Sequence, residues 1–371
     1  MKLKIKRTVL LEALNNASKA ISTKNIIPIL SGIKFDLFKD RLVITASDND
    51  ITIQTSINSG EDLLIEDTGS IVIKGKYILD IIRKLDSEFI NIEIIDDHKI
   101  MIFTENSEFN LNGIEAREYP DINLDLSTDF VNMKISDFKT MISQTNYACS
   151  LDEARIVLTG VNIKINGDSL ECSATDSYRL ALRKFKLSTS VSNDIDIIIP
   201  SKNLSELMKL LSSLEDEIEL HLFSNKIIFK FNNIIFQSRL INGTYPNTKN
   251  LIPSESLFEL KLNCNEFYSM VDRASILNDD NDNNIVTLEI KDKLMKITSM
   301  SLEIGKVEEK MNVDCSDSIK ISFSAKYMMD ALRTIKTKDV IITFVGEIKP
   351  ILLKNDDSDD LVSLILPIRT Y

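Results

Sequence analysis

A chain of 371 residues that is 43% apolar is globular and too long for one ordinary hydrophobic core, so two or three domains are expected. Its net charge of −12 argues against a uniformly basic nucleic-acid surface, and no uninterrupted apolar run approaches the roughly 20 residues of a membrane-spanning helix. The start, Met1 to Arg7, alternates charged and apolar residues without the apolar core or cleavage site of a secretory signal, which points to the cytosol.

In chain order, the first predicted element is an amphipathic helix over Lys6–Ile21, with Val9, Leu10, Leu14, Ala17 and Ile21 on one side. Alternating runs at Ile33–Leu37 and Leu42–Thr45 predict strands. A β-rich run, Ile71–Lys76, leads into a second helix at Tyr77–Leu85, and Tyr119-Pro120 closes the segment. The same order then returns. A helix over Ser136–Cys149 precedes a strand at Gly160–Ile165, Ile197–Lys202 leads into Asn203–Leu211, and Tyr245-Pro246 closes. A third pass has a helix over Asn263–Ile276, strands at Val286–Ile290 and Met295–Thr298, and Ile319–Lys326 leading into Tyr327–Ile335. Lys76, Lys202 and Lys326 hold equivalent places. Repetition at this spacing sets the architecture: an α+β protein of three similar domains, residues 1–124, 125–253 and 254–371, each a double repeat of a helix on antiparallel sheet.

Four cysteines, Cys149, Cys172, Cys264 and Cys315, lie too far apart for a metal or redox pair and read as reduced thiols filling apolar space. A His-based zinc site or catalytic dyad would need the two histidines, His98 and His221, to converge from distant segments, so both read as structural or surface residues, and no cofactor is expected. The windows Lys4–Lys24, Lys74–Leu85, Lys134–Cys149, Lys202–Leu211, Lys261–Ile276 and Lys326–Lys338 together carry a net +12, which leaves −24 for the rest. Such segregation predicts a basic helical surface suited to phosphate backbone, without the aromatic platforms that stack bases.

The second repeat contains Ser173-Ala-Thr-Asp-Ser-Tyr-Arg-Leu-Ala181, preceded by Leu158-Thr-Gly-Val161 and followed by Asn242-Gly-Thr-Tyr-Pro246 and the ending Leu366-Pro-Ile-Arg-Thr-Tyr371. In this order the motifs resemble those of the bacterial sliding clamps, the beta subunits of DNA polymerase III, over the whole chain. The resemblance implies a DNA replication processivity factor: a homodimeric ring around duplex DNA, bound without sequence specificity, that tethers the polymerase alpha subunit, the clamp loader and other proteins through short peptide motifs. It implies a docking pocket of Leu158, Thr175, Ser177, Tyr178, Arg179 and Leu180 on one wall, Pro246 and Leu251 across from them, and Leu364, Leu366, Pro367, Ile368 and Arg369 from the tail, with the arginines as rim contacts. It places Lys24 at the DNA, beside the repeat lysines Lys76, Lys202 and Lys326, and Phe109, Ile276 and Leu277 at the dimer seam. The chain departs from the family at Asn250, where some members carry a basic residue, and runs on through Thr370-Tyr371.

An enzyme is the rival class. The sequence has no phosphate loop, no G-x-G-x-x-G opening a helix, no H-E-x-x-H and no G-x-S-x-G. The run Asp279–Asn284 has Ile285 where a calcium loop needs glycine and reads as a solvated loop, as does Asp356–Asp360. Asp48 and Asp50 are a carboxylate pair, but Asp48 aligns with Asp176 in the next repeat, which favours a shared turn. A clamp-like paralogue outside the main replicase is the other alternative.

Overall fold

The computed structural model of the chain describes residues 1–21, 27–96, 98–211, 216–277, 284–301 and 304–369. Among them are six α-helices: α1 (Arg7–Ala17), α2 (Gly75–Lys84), α3 (Ile135–Ser143), α4 (Ser201–Met208), α5 (Cys264–Ala274) and α6 (Ala325–Leu332). Each follows directly on a strand. The residues before α1, α2, α5 and α6 (Lys6, Lys74, Asn263 and Ser324) are still extended, and helical dihedrals begin at the next residue. Asn263 and Ser324 accept hydrogen bonds from the N–H groups of Glu266 and Tyr327, satisfying donors that a helix start leaves open. Lys6 and Lys74 make no such cap.

The first helix of each repeat ends sooner than its sequence period suggests. After Ala17 the chain tightens into a 3-10 turn, Ser18–Ala20. After Ser143, Thr145 turns its hydroxyl back onto the Met141 carbonyl, the kind of local bond that competes with helix propagation.

Two compact units form, Met1–Ser136 with Ser205–Leu240, and Asp137–Leu204 with the chain from Ile241 on. The first holds a five-stranded sheet in the order Leu63–Asp67, Lys2–Lys6, Phe89–Asp96, Lys99–Phe103, Glu108–Asn112. Its nine-stranded sheet runs Ile114–Glu115, Gly69–Lys74, Gly32–Leu37, Arg41–Ser47, Ile51–Asn58, Ile234–Arg239, Lys226–Phe231, Glu217–Leu222, Phe130–Lys134. The second unit holds a six-stranded sheet, Gly160–Thr175, Arg179–Pro200, Leu361–Ile365, Ile351–Asn355, Asp339–Phe344, Phe258–Asn263, and a four-stranded one, Gly305–Asn312, Leu294–Ser301, Ile285–Lys291, Ile319–Ser324.

The repeats and the compact units therefore differ. Each repeat supplies two half-sheets, and the middle repeat gives one to each unit. Ile234–Arg239 pairs antiparallel with Ile51–Asn58 of the first repeat, and Arg179–Pro200 pairs antiparallel with Leu361–Ile365 of the third. Helices bury their apolar faces on these sheets. In the second unit α5 contributes Phe267, Met270 and Val271, and α6 contributes Met328 and Leu332, to one core with Phe323, Leu353 and Ile342.

One sequence expectation needs correction. Lys4, Lys6, Lys74, Lys134 and Lys261, counted with the helices, lie on the strands before them. Lys6 pairs with Asp62, and Lys261 with Asp339 and Asp356, so the helices carry less surplus charge than the windows suggested.

Candidate functional site

The densest polar construction in the second unit is the turn Thr175–Arg179. One carboxylate oxygen of Asp176 accepts the N–H groups of Tyr178 and Arg179 at 2.9 and 3.0 Å, and the Thr175 hydroxyl donates to the Arg179 carbonyl at 2.6 Å. This closure holds Ser177 at φ 78°, a left-handed conformation that its small side chain tolerates. Tyr245 locks the turn from outside, its hydroxyl oxygen accepting the Thr175 N–H at 3.0 Å. The first repeat builds the same device. Asp48 accepts from Asp50 and Ile51, Asn49 has φ 83°, and the buried Tyr119 lies against the Ser47 backbone. Asp48 and Asp176 are therefore equivalent turn-formers, as their alignment predicted, and the Tyr-Pro pairs owe their repetition to the tyrosine.

Beyond the turn, Leu180 pairs with Leu364 across the strands, and both are buried with Leu352 and Val362, the half-buried Ile252 packing against them. The register continues one step past the strand end, where the Leu366 N–H donates to the Tyr178 carbonyl at 2.9 Å. A further bond from the Ile368 N–H to the Ser322 carbonyl holds the tail on the neighbouring strand. Tyr178 (62% exposed), Leu251 (49%) and Leu366 (38%) thus stand uncovered around a packed apolar floor. Pro246 and Ser177 are exposed, Pro367 and Ile368 half-buried, and Arg369 exposed. Leu158 is buried against Tyr245 and Ile198, so it supports the wall from behind. Two hollows flank this apolar rim. One, of about 490 Å³, includes Leu158, Tyr178, Lys326 and Tyr327, and the other, of about 590 Å³, includes Leu366 to Arg369, Ile321 and Ile348.

Arg179 is not the rim contact expected from its sequence. It is only 9% exposed; its Nε donates to Asp176 at 3.0 Å and its guanidinium to Asp330 on α6 at 2.8 Å. The rings of Tyr147 and Tyr327 lie 5.4 and 4.4 Å from the guanidinium carbon. Asp330 also receives Arg333, which in turn reaches the Tyr268 hydroxyl on α5 at 2.7 Å. Burial pushes the Tyr147 hydroxyl and the Cys149 thiol up to about 12, so Cys149, which lines the smaller hollow, stays a neutral thiol at neutral pH. Tyr147, Tyr327 and Asp330 escaped the sequence reading because each looks like one more residue of an amphipathic helix or its flank.

In the first unit the same backbone bond exists, from the Arg239 N–H to the Asp50 carbonyl at 2.9 Å. There Asp50 stands in the place of Tyr178 and Arg239 in the place of Leu366. The turn is duplicated, whereas the apolar rim belongs to the second unit.

The remaining expected residues fall as follows. Lys76, Lys202 and Lys326 are exposed, and among the described residues none has a carboxylate within 4 Å; Lys24 lies outside the described residues, as does the Thr370-Tyr371 extension. Phe109 is part-exposed on Glu108–Asn112, one of the two outermost strands of its sheet. Ile276, 71% exposed, and the half-buried Leu277 follow α5, whose Arg273 pairs at 2.6 Å with Glu309 on Gly305–Asn312, also an outermost strand. Among the described residues no three metal-binding side chains cluster.

Three family models match in sequence order: the N-terminal domain of the DNA polymerase III beta subunit over residues 1–125, its central domain over 132–247 and its C-terminal domain over 249–369. The chain is 41% identical over 379 residues to the beta sliding clamp of Staphylococcus aureus, with all of both chains covered. It is similar in structure to the DNA polymerase sliding clamp of Bacillus subtilis (38% identity, TM-score 0.96) and to the DNA polymerase beta subunit of Streptococcus pyogenes (32%, 0.95), again over the full length of each.

Removing one member of a buried charge cluster strands the others. Arg179→Ala is expected to lower the unfolding free energy by about 3–5 kcal/mol, measured by urea denaturation, because Asp176 and Asp330 lose their shared cation. A change under about 0.5 kcal/mol, typical of a solvated surface residue, would contradict this account of the wall.

Proposed function

The chain belongs to the DNA polymerase III beta subunit family, the sliding clamps that act as processivity factors in bacterial DNA replication, and on that premise we propose that two copies close head to tail around duplex DNA and carry partner proteins on the Tyr178–Leu366 rim. The observation that supports ring closure most is the pattern of strand pairing. Twice within the chain, the strand at one end of a repeat's first half-sheet pairs with the last strand of the following repeat: Ile51–Asn58 with Ile234–Arg239, and Arg179–Pro200 with Leu361–Ile365. One strand of each kind is left at a sheet edge, Gly305–Asn312 and Glu108–Asn112. An open edge is a row of unpaired N–H and C=O groups, and a second copy supplies the complementary row at each seam. Contacts of this heterologous kind close into a ring when their rotation permits. Phe109 lies on one of these strands, and Ile276 and Leu277 follow the helix tied to the other.

The exposed lysines Lys76 and Lys202, on an otherwise acidic chain, suit phosphate backbone rather than bases, whereas Lys326, expected from its repeat position to join them, lines the hollow beside Tyr178. Tyr178, Leu251 and Leu366 suit the apolar side chains of a short docked peptide, such as one from the replicative polymerase or the clamp loader. This is the reading of a non-catalytic accessory subunit working in the cytosol; no helix among the described residues is long and apolar enough to cross a membrane.

Light scattering at micromolar concentration is expected to give twice the 42.0 kDa chain mass, and Ile276→Ala with Leu277→Ala to shift the mass toward that of one chain. A wild-type monomer would overturn ring closure. After loading, the protein is expected to stay on closed circular DNA through moderate salt and to leave once the circle is cut, while direct binding to linear DNA is weak and steeply salt-dependent. Tight, sequence-selective binding to a linear oligonucleotide would contradict an encircling mode. A short peptide carrying glutamine, leucine and phenylalanine is expected to bind with a dissociation constant on the order of micromolar, about −8 kcal/mol, and deletion of Pro367–Tyr371 to abolish binding while the mass stays unchanged. Undiminished binding by the folded, truncated protein would remove the site assignment.

A further inference from the structure

In the first unit, where the first two repeats meet, a lysine of one repeat completes a helix end of the other. The last carbonyls of a helix find no N–H within their own helix, and a lysine side chain can meet them instead. Past α4 the chain tightens, the Lys209 and Leu210 N–H groups donating to the Glu206 and Leu207 carbonyls. The Lys209 carbonyl is met from outside, by the Lys19 ammonium at 3.1 Å, which reaches it from the 3-10 turn after α1. Glu206 is committed to the Lys209 side chain at 2.8 Å, and among the described residues Lys19 has no carboxylate within 4 Å. The half-buried Lys19 amine is thus spent on an uncharged oxygen. Burial pulls it below the ordinary lysine range; the Glu206 carboxylate opposes this and the Lys209 ammonium adds to it. Desolvation and a neighbouring cation both raise the share of free amine, which is the nucleophile. Lys226 gives the contrast within the same unit. Its ammonium also donates to a carbonyl, that of Asn123, and burial lowers it too, but the group beside it is the Asp125 carboxylate rather than a second cation.

We propose that Lys19 is a site of Nε-acylation by acyl phosphates, and that the modification unfastens the end of α4 from the turn after α1. The free amine nitrogen attacks the acyl carbon and a C–N bond forms. The C–O bond to phosphate breaks, phosphate leaves with the electron pair, and the surplus proton on nitrogen passes to water. The exposed Lys209 ammonium draws the anionic donor and its leaving phosphate toward the amine. The product amide carries no charge, so the Lys209 carbonyl loses its charged donor. Neither the docking rim nor the open strand edges takes part.

The test uses the full-length protein and acetyl phosphate at neutral pH, with the acetylated fraction at each lysine followed by mass spectrometry of proteolytic fragments. Lys19 is expected to react about threefold or more faster than the exposed Lys76 and Lys202, and faster than Lys226, with the four rates converging in urea. In Lys209→Met the Lys19 rate is expected to fall toward that of Lys226, with the melting temperature confirming a folded chain. Lys19 reacting no faster than Lys76 and Lys202 in the folded protein would overturn the site, as would a preference that persists in urea or a rate unchanged by Lys209→Met. Acetyl-lysine installed at position 19 through an expanded genetic code is expected to speed amide hydrogen exchange over residues 205–211 about threefold and to leave α6 as it was. Unchanged exchange at the end of α4 would remove the unfastening.

Discussion

A half-sheet that ends on an open strand leaves a row of backbone donors and acceptors unpaired, and the satisfaction of those rows governs the rest of this structure. Each repeat supplies two half-sheets of antiparallel strands. Fusing the middle repeat's half-sheets to those of its neighbours produces the nine-stranded and six-stranded sheets and divides that repeat between two compact units. The same rule leaves Glu108–Asn112 and Gly305–Asn312 among the outermost strands, and these two are of the kinds that pair inside the chain. The proposed assembly is in that sense a continuation of the chain's own internal pairing.

Strand fusion also creates the place where the candidate site sits. Where Arg179–Pro200 meets Leu361–Ile365, the pairing overruns its strands through the Leu366–Tyr178 backbone bond and sets two exposed apolar side chains opposite each other. The first unit repeats this backbone with Asp50 and Arg239 in the corresponding places. Backbone geometry is shared because the turn depends on an aspartate, a left-handed residue and a buried tyrosine, which both repeats keep. Side chains on the exposed face carry no such structural duty, and there the repeats diverge into an apolar rim in one and a polar surface in the other.

Beneath the rim, a buried arginine between two aspartates and two tyrosine rings costs desolvation that its pairs repay only through good geometry. Its benefit is placement. The cluster ties the turn to α6 and, through Arg333 and Tyr268, α6 to α5, so the wall facing a ligand is fixed by charge as well as by packing.

Much of the fold is legible in the sequence, because a helix or strand writes its period into neighbouring residues. The six helices, the alternating strands and the threefold repetition follow from spacing that any reader can check, although α2, α4 and α6 start two residues before Tyr77, Asn203 and Tyr327, and Asp176 declares its turn by matching Asp48. The motif Ala174–Ala181 with the Leu366–Arg369 tail marks the docking region by resemblance. Local pattern does not record which distant residue a side chain meets. Asp330 lies 151 positions from Arg179, and without that contact Arg179 reads as an exposed rim arginine. Lys6 and Lys261 read as helix charges until the strands bring Asp62, Asp339 and Asp356 beside them. Tyr178 and Lys326 come to one hollow only once the chain has folded. Sequence by itself determined the elements and their repetition, because hydrogen bonding and apolar period act over a few residues; tertiary structure decided which charges are neutralised and which stay exposed, because that depends on partners the chain reaches only by folding.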